Sequence, residues 1–211
     1  MKVLVLPVLW LALLSIAAPA GAEAEADRLA ALLGLRPGVS VAEIGAGDGE
    51  LTLAIAERVG ATGHVYATEI ETEKQDAIRE AAREAGLANV EVLPAQLTSS
   101  GLPAGCCEAI FMRHVYHHLS DPAAVDRDLL RALRPGGVLV VVDFPPTWYL
   151  RPFTPDDVGA ERSRHGIEPA DALRELLAAG FGQAQRIEPW HERWLAPDTY
   201  ALVLKKPASA R

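Results

Sequence analysis

Apolar and polar positions alternate between two rhythms along this chain. Short apolar runs bounded by glycine, asparagine or acids recur at Val39–Ile44, Gly63–Ile70, Asn89–Ala95, Cys107–Arg113 and Val138–Phe144. Between them, at Glu50–Val59, Glu71–Gly86 and Asp121–Gly137, apolar residues fall three and four apart. The first rhythm predicts strands and the second amphipathic helices. "VLVVVDF" is apolar throughout, which predicts a strand covered on both faces. Asp121 is placed to cap its helix, Pro122 fits its first position, and Pro135-Gly136-Gly137 reads as its stop. A further helix is predicted over Pro169–Gly180, and "GQAQRIEPW" with "TYALVLKK" predicts a closing antiparallel pair. Strands alternating with helices imply an α/β fold, a doubly wound and mostly parallel sheet. Its ligands bind outside the carboxyl ends of the strands.

The first residues follow a different pattern. Lys2 is followed by an apolar stretch from Val3 to Ala18, and Ala20-Gly21-Ala22 fits a cleavage site before Glu23. This layout predicts a secretory signal peptide over residues 1–22, a single domain over 23–211 and a periplasmic or secreted address. An uncleaved segment would instead anchor the chain to a membrane, since the run approaches spanning length. The chain has 211 residues, with 20 basic against 28 acidic and a net charge of −8. That sign argues against nucleic acid as a partner, because phosphate binding needs a basic surface. The only cysteines, Cys106 and Cys107, are neighbours. A disulfide between adjacent residues is strained, so they are expected to be two small buried residues opening a strand.

Chemistry concentrates in "VAEIGAGDGELT", Val41 to Thr52. A dinucleotide fingerprint places a third glycine where Glu50 stands here. Carboxylates at Glu43, Asp48 and Glu50 would repel a pyrophosphate, while Gly45, Gly47 and Gly49 still let a ligand approach the backbone. This disfavours a nicotinamide oxidoreductase. Glu69 lies twenty residues beyond Gly49 at the end of the second strand, where an acid accepts ribose hydroxyls. Together these predict an adenosine ligand carrying positive charge rather than phosphates.

With "EIGAGDG", the acid of "YATEI", "AIFMRHVYHHL" and "LLRALRPGGVLVVVDF" in order, the chain resembles the class I S-adenosylmethionine-dependent methyltransferases. "FMRHVYHHLSDP", "DFPP" and "RHGI" further resemble a branch of bacterial methyltransferases that carry signal sequences. The resemblance implies a Rossmann-like seven-stranded sheet and S-adenosylmethionine as cofactor. It also implies a cofactor site at Glu43, Gly45, Ala46, Gly47, Gly49, Glu69, Ile70, Gln96 and Arg113. Ile70 would pack on adenine. Gln96 stands where many members have an aspartate reaching the adenine amino group.

A methyl on a sulfonium is already activated, so the protein must chiefly align the acceptor and, for a protonated acceptor, supply a base. The candidates are His117, His118, Tyr116 and Asp143, with His114 beside them and Arg164 and His165 in a later loop. His117 is favoured because it directly follows Tyr116 where the chain leaves the sheet. The expected acceptor is a small molecule. A metal held by the histidines and cysteines is disfavoured, since they open and close the same strand. Trp148, Tyr149, Trp190 and Trp194 could line an acceptor pocket or cover the sheet edge. Because S-adenosylmethionine is made in the cytoplasm, an exported chain could instead be a non-catalytic module that binds an adenosine ligand.

Overall fold

The computed structural model describes residues 20–146, 166–191 and 198–208. Seven strands form one sheet: β1 (Ser40–Ile44), β2 (His64–Glu69), β3 (Val90–Pro94), β4 (Cys107–Arg113), β5 (Leu133–Asp143), β6 (Gly182–Ile187) and β7 (Tyr200–Lys205). Their order is β3-β2-β1-β4-β5-β7-β6. The first five run parallel, and β7 is antiparallel to both β5 and β6. The order reverses between β1 and β4, the position where such sheets open a crevice. The registers Ile44↔Met112 and Arg113↔Val142 bring the carboxyl ends of β1, β4 and β5 to one edge.

Among the described residues the α-helices are α1 (Ala20–Leu33), α2 (Glu50–Val59), α3 (Thr72–Glu84), α4 (Pro122–Ala132) and α5 (Pro169–Ala178). Alternate residues of the central strands feed two cores. Phe111, Val140 and Val142 pack under Leu29, Leu51 and Ile55 of α1 and α2. Ile110, Met112, Leu139 and Val141 pack under Leu129 and Leu176 of α4 and α5. Fully burying one such side chain contributes about 1.5–3 kcal/mol, so these stripes fix which face each helix covers. Asp121 accepts from Ala124 N at 3.0 Å with Pro122 behind it, so the predicted cap of α4 forms.

Three local expectations are corrected. The helix α1 was not anticipated: its alanine-rich sequence begins inside the stretch that reads as a leader. Pro135-Gly136-Gly137 does not end a helix but lies within β5. Leu133 already pairs with Cys107, and the register then shifts before Ala109 meets Val138. Gly136 takes φ 79° there, and a Cβ on Gly137 would meet Arg134 O and Glu108 O at 2.9 Å. The glycines serve this irregularity. Finally, Cys106 and Cys107 are joined as a disulfide between neighbours, their Cα atoms 3.7 Å apart. The broken register where β4 begins relaxes the strict alternation that would hold neighbouring side chains on opposite faces.

Residues 1–19, together with Trp148, Tyr149, Arg164, His165 and Trp194, lie outside the described residues. Among the described residues no helix is long and apolar enough to cross a membrane.

Candidate functional site

The glycine turn follows β1 as a run of left-handed backbone. Gly45, Gly47 and Gly49 have φ of 68°, 59° and 81°, a region costly for side-chain-bearing residues. Two of the three are also sterically confined. A Cβ on Gly45 would meet Val115 Cγ2 at 2.6 Å, and one on Gly49 would meet Ile78 Cγ1 at 2.9 Å. Gly47 has nothing within 4 Å of its Cβ position and faces open space.

That space is a cleft of about 660 Å³ outside the ends of β1, β2 and β4. The turn and Glu43 form one wall, Glu69, Ile70 and Glu71 another, and Gln96, Leu97 and Ser99 close one end. Arg113, His114, Val115 and His118 line the opposite rim. Eight of the nine expected cofactor positions therefore gather on one cleft, and Gly49 caps α2 just behind it.

Glu69 is held rigidly: one oxygen accepts from Gly47 N at 2.8 Å, the other from Ile70 N at 2.7 Å and Glu71 N at 3.2 Å. Glu43 is buried at the end of β1 and accepts from Thr52 Oγ1 at 2.5 Å. Burial pushes its carboxyl up to about 8, against the lowering by Thr52 and the Arg113 charge. The free site therefore carries a neutral Glu43 at pH 7.

On the other rim the residues do not take the expected places. Tyr116 is fully buried under the sheet, and its hydroxyl bonds to Asp126 at 2.9 Å and Glu175 at 3.1 Å. Burial and those carboxylates raise its pKa far above the usual phenol value. It does not reach the cleft. His117 is also withdrawn. Its Nδ1 lies 2.8 Å from Asp143 Oδ1, and its backbone N donates to Asp143 Oδ2 at 3.1 Å. Asp143, fully buried, also accepts from Phe144 N at 2.9 Å. This is a latch between the end of β5 and the 3₁₀ turn Tyr116–His118 that follows β4. Tyr116, His117 and Asp143 thus support the rim from beneath, correcting their assignment to the acceptor face. The 3₁₀ turn is the cause, because it sends successive side chains in different directions and only His118 emerges.

His114 takes the place expected of His117. It follows β4 at φ 57°, an uncommon conformation for histidine, which directs it to the cleft. Its Nε2 is buried with no hydrogen-bond partner among the described residues. Desolvation lowers its pKa, opposed by the charge of Asp143, so the ring is neutral at pH 7. The signal that could have found it is its position directly after the strand. Trp190, a candidate pocket aromatic, is clasped by α1 instead, with Glu25 at its indole N–H and Arg28 over its ring.

The methyltransferase-domain family matches residues 42–141, the segment that builds this cleft. The likeness to a methyltransferase domain thus covers just under half of the chain. A ubiquinone/menaquinone biosynthesis C-methyltransferase of Vibrio cholerae is 30% identical over 112 residues, 53% of this chain and 43% of that protein. The chain thus spans less than half the length of that relative. A solved S-adenosylmethionine-dependent methyltransferase from Aquifex aeolicus aligns over 85% of this chain and 88% of its own, with TM-score 0.66 and 24% identity. A solved protein from Bordetella parapertussis, described as a possible exported protein, aligns over 88% and 68%, with TM-score 0.64 and 20% identity. Both show the same fold. The cleft suits a cationic nucleoside ligand: Gly47 leaves room at the backbone, and the carboxyls of Asp48 and Glu69 match a cation better than a phosphate.

Proposed function

We propose that this protein transfers a methyl group from S-adenosylmethionine to a small-molecule acceptor outside the cytoplasm. The observation that carries this reading is the meeting, in one cleft, of the open face at Gly47, the acids Glu43 and Glu69, and the neutral imidazole of His114. When bound, the cofactor supplies a methyl group on a sulfonium, already activated for transfer. The chain's own residues bind and orient. Glu69 accepts from the ribose hydroxyls, Ile70 packs on adenine, and Gln96 accepts from the adenine amino group. Asp48 answers the cationic end. His114 accepts the acceptor's proton at Nε2, and its low proton affinity keeps that nitrogen available at neutral pH. His118 stands beside it on the rim.

Calorimetry of the purified protein tests the cofactor half. Wild type should bind S-adenosylmethionine, and Gly47→Val, whose side chain enters the open face, should not. Equal affinity in both would reject the placement.

Export is supported by the leader pattern of residues 1–22, by the neighbour described as an exported protein and by the disulfide, which suits an oxidising compartment. A cut before Glu23 falls in the first turn of α1 and leaves Glu23, Glu25 and Asp27 on the mature chain. Mass spectrometry of protein from its native host should find an N-terminus near Glu23. Intact Met1 in a soluble cytoplasmic fraction would refute this address.

A further inference from the structure

The helix α1 carries a carboxylate into the wall of the cleft region. Glu25 is nine-tenths buried although Asp27, two residues on in the same helix, is exposed. One of its oxygens accepts from Trp190 Nε1 at 3.1 Å and lies 3.5 Å from His191 Nε2. The other lies 3.5 Å from Arg113 Nη1. Three distant parts of the chain, α1, the end of β4 and the segment after β6, therefore converge on one carboxylate. Trp190 holds that carboxylate in place and is itself held by Arg28, which donates to its carbonyl and lies over its ring.

Arg113 lines the cleft. Among the described residues it donates no hydrogen bond, and its one ion pair is the loose 3.5 Å approach to Glu25. A guanidinium carries five N–H donors in a planar fork suited to a carboxylate. Glu43, on the neighbouring strand β1, is neutral at pH 7 and so does not compensate the Arg113 charge. The cleft thus presents a cationic fork, with donors to spare, in an otherwise acid-lined cavity.

We propose that Glu25 is a positioning residue that aims Arg113 at the cleft to receive the carboxylate on the amino-acid end of S-adenosylmethionine. This rests on the cofactor reading above. Glu25 does not touch the ligand. It restricts the long arginine side chain and stabilises its charge, so that little rotamer freedom is lost when a carboxylate docks. Arg113 and Glu25 together thereby distinguish the whole cofactor from adenosine fragments that lack the amino acid.

The test compares two probes by calorimetry: S-adenosylmethionine, and 5′-methylthioadenosine, which has the nucleoside and thioether but no carboxylate. Arg113→Lys should weaken S-adenosylmethionine on the order of tenfold or more, the scale of a lost charge-assisted hydrogen bond, and change methylthioadenosine less than about twofold. Glu25→Gln retains an oxygen for the Trp190 N–H and should show the same split, smaller in size. In the Arg113→Lys background Glu25→Gln should add almost nothing, because its effect passes through the fork. Equal weakening of both probes by Glu25→Gln, or no weakening of either, overturns the inference while leaving the cofactor reading intact. If Glu25→Gln fails to fold, the probe split in Arg113→Lys decides alone, and its absence overturns the inference. Wild type that binds neither probe would reject the cofactor reading itself, and this inference with it.

Discussion

The two walls of the cleft are built by different means. The glycine-turn wall is made by backbone: three left-handed glycines and amide donors that fix the Glu69 carboxylate at both oxygens. The facing rim is made by side chains standing on other side chains. Asp143 latches His117, the 3₁₀ turn lifts His118, and Glu25 braces Arg113. A backbone wall tolerates little change in its glycines but needs no second layer. A side-chain rim divides labour, so groups that look catalytic can be supports and the reacting group can stand beside them.

The widest gap between support and reactant is expected in turnover. With any acceptor found by screening, His114→Gln should lower turnover by roughly 10²-fold or more, the range for losing a positioned base, with little change in cofactor affinity. His117→Gln should keep most of the turnover and lose stability instead. Steady-state rates for both variants decide the assignment. A fully active His114→Gln beside an inactive His117→Gln would return the chemistry to the latch histidine.

The latch itself gives the next largest effect. Asp143→Ala leaves the Nδ1 of His117 and the backbone N–H groups of His117 and Phe144 without their buried acceptor. A loss of about 3 kcal/mol is expected, in the range for removing one partner of a buried pair. Thermal unfolding should show a fall of roughly 6–12 °C for a domain of this size. A shift under a degree or two would mean that Asp143 does not brace the rim.

These two walls also differ in how they could be read from sequence. Turn geometry follows from residue spacing: glycines at 45, 47 and 49 and an acid at 69 dictate a local conformation wherever the rest packs, and Gly45, Gly47 and Glu69 line the same cleft. The choice among His114, Tyr116, His117 and His118 depends on how one 3₁₀ turn rotates between β4 and α4, which packing of Tyr116 between Asp126 and Glu175 decides. Nothing local encodes that rotation. Glu25 was hidden for a related reason: α1 is alanine-rich and continuous with a leader-like stretch, so nothing in its sequence singles out one acid. Only the fold shows one of them turned inward. The sheet was legible throughout because periodicity reports burial directly, except where Pro135-Gly136-Gly137 resembled a helix stop.

The walls also differ in their response to pH. The folded Glu43 holds its proton up to about 8, whereas an unfolded carboxyl loses it near 4.5. The folded state therefore binds more protons than the unfolded one between these values, and stability from this group falls as pH rises through that window. His114 works in the opposite direction. Its lowered pKa costs stability only as pH drops below the ordinary value of 6.5. In Glu43→Gln this loss should disappear, so the variant should gain on wild type progressively from pH 5 to 8 in thermal unfolding and level off above. A difference that stays constant over that range would show that Glu43 is ionised in the free protein.

The smallest effect is expected at the opposite end of β4 from the cleft, where Cys106 and Cys107 are joined. A disulfide stabilises mainly by restricting the unfolded chain, and that restriction grows with the length of the loop it closes. Here the partners are adjacent in sequence, so almost no chain is enclosed. Cys107 begins the strand whose far end carries Arg113, with His114 one residue beyond, and Cys106 precedes it, so neither lines the cleft. Replacing both with alanine should cost about 1 kcal/mol or less, chiefly for the lost packing of Cys107 in the core beneath α4 and α5. Turnover and S-adenosylmethionine affinity should stay within about twofold of wild type, since sites this far apart without shared partners behave almost independently. Reducing the wild-type protein with a dithiol should reproduce the alanine result. A tenfold drop in turnover on reduction or on replacement would couple this pair to the cleft along β4 and contradict its standing as a local feature of the strand's first turn.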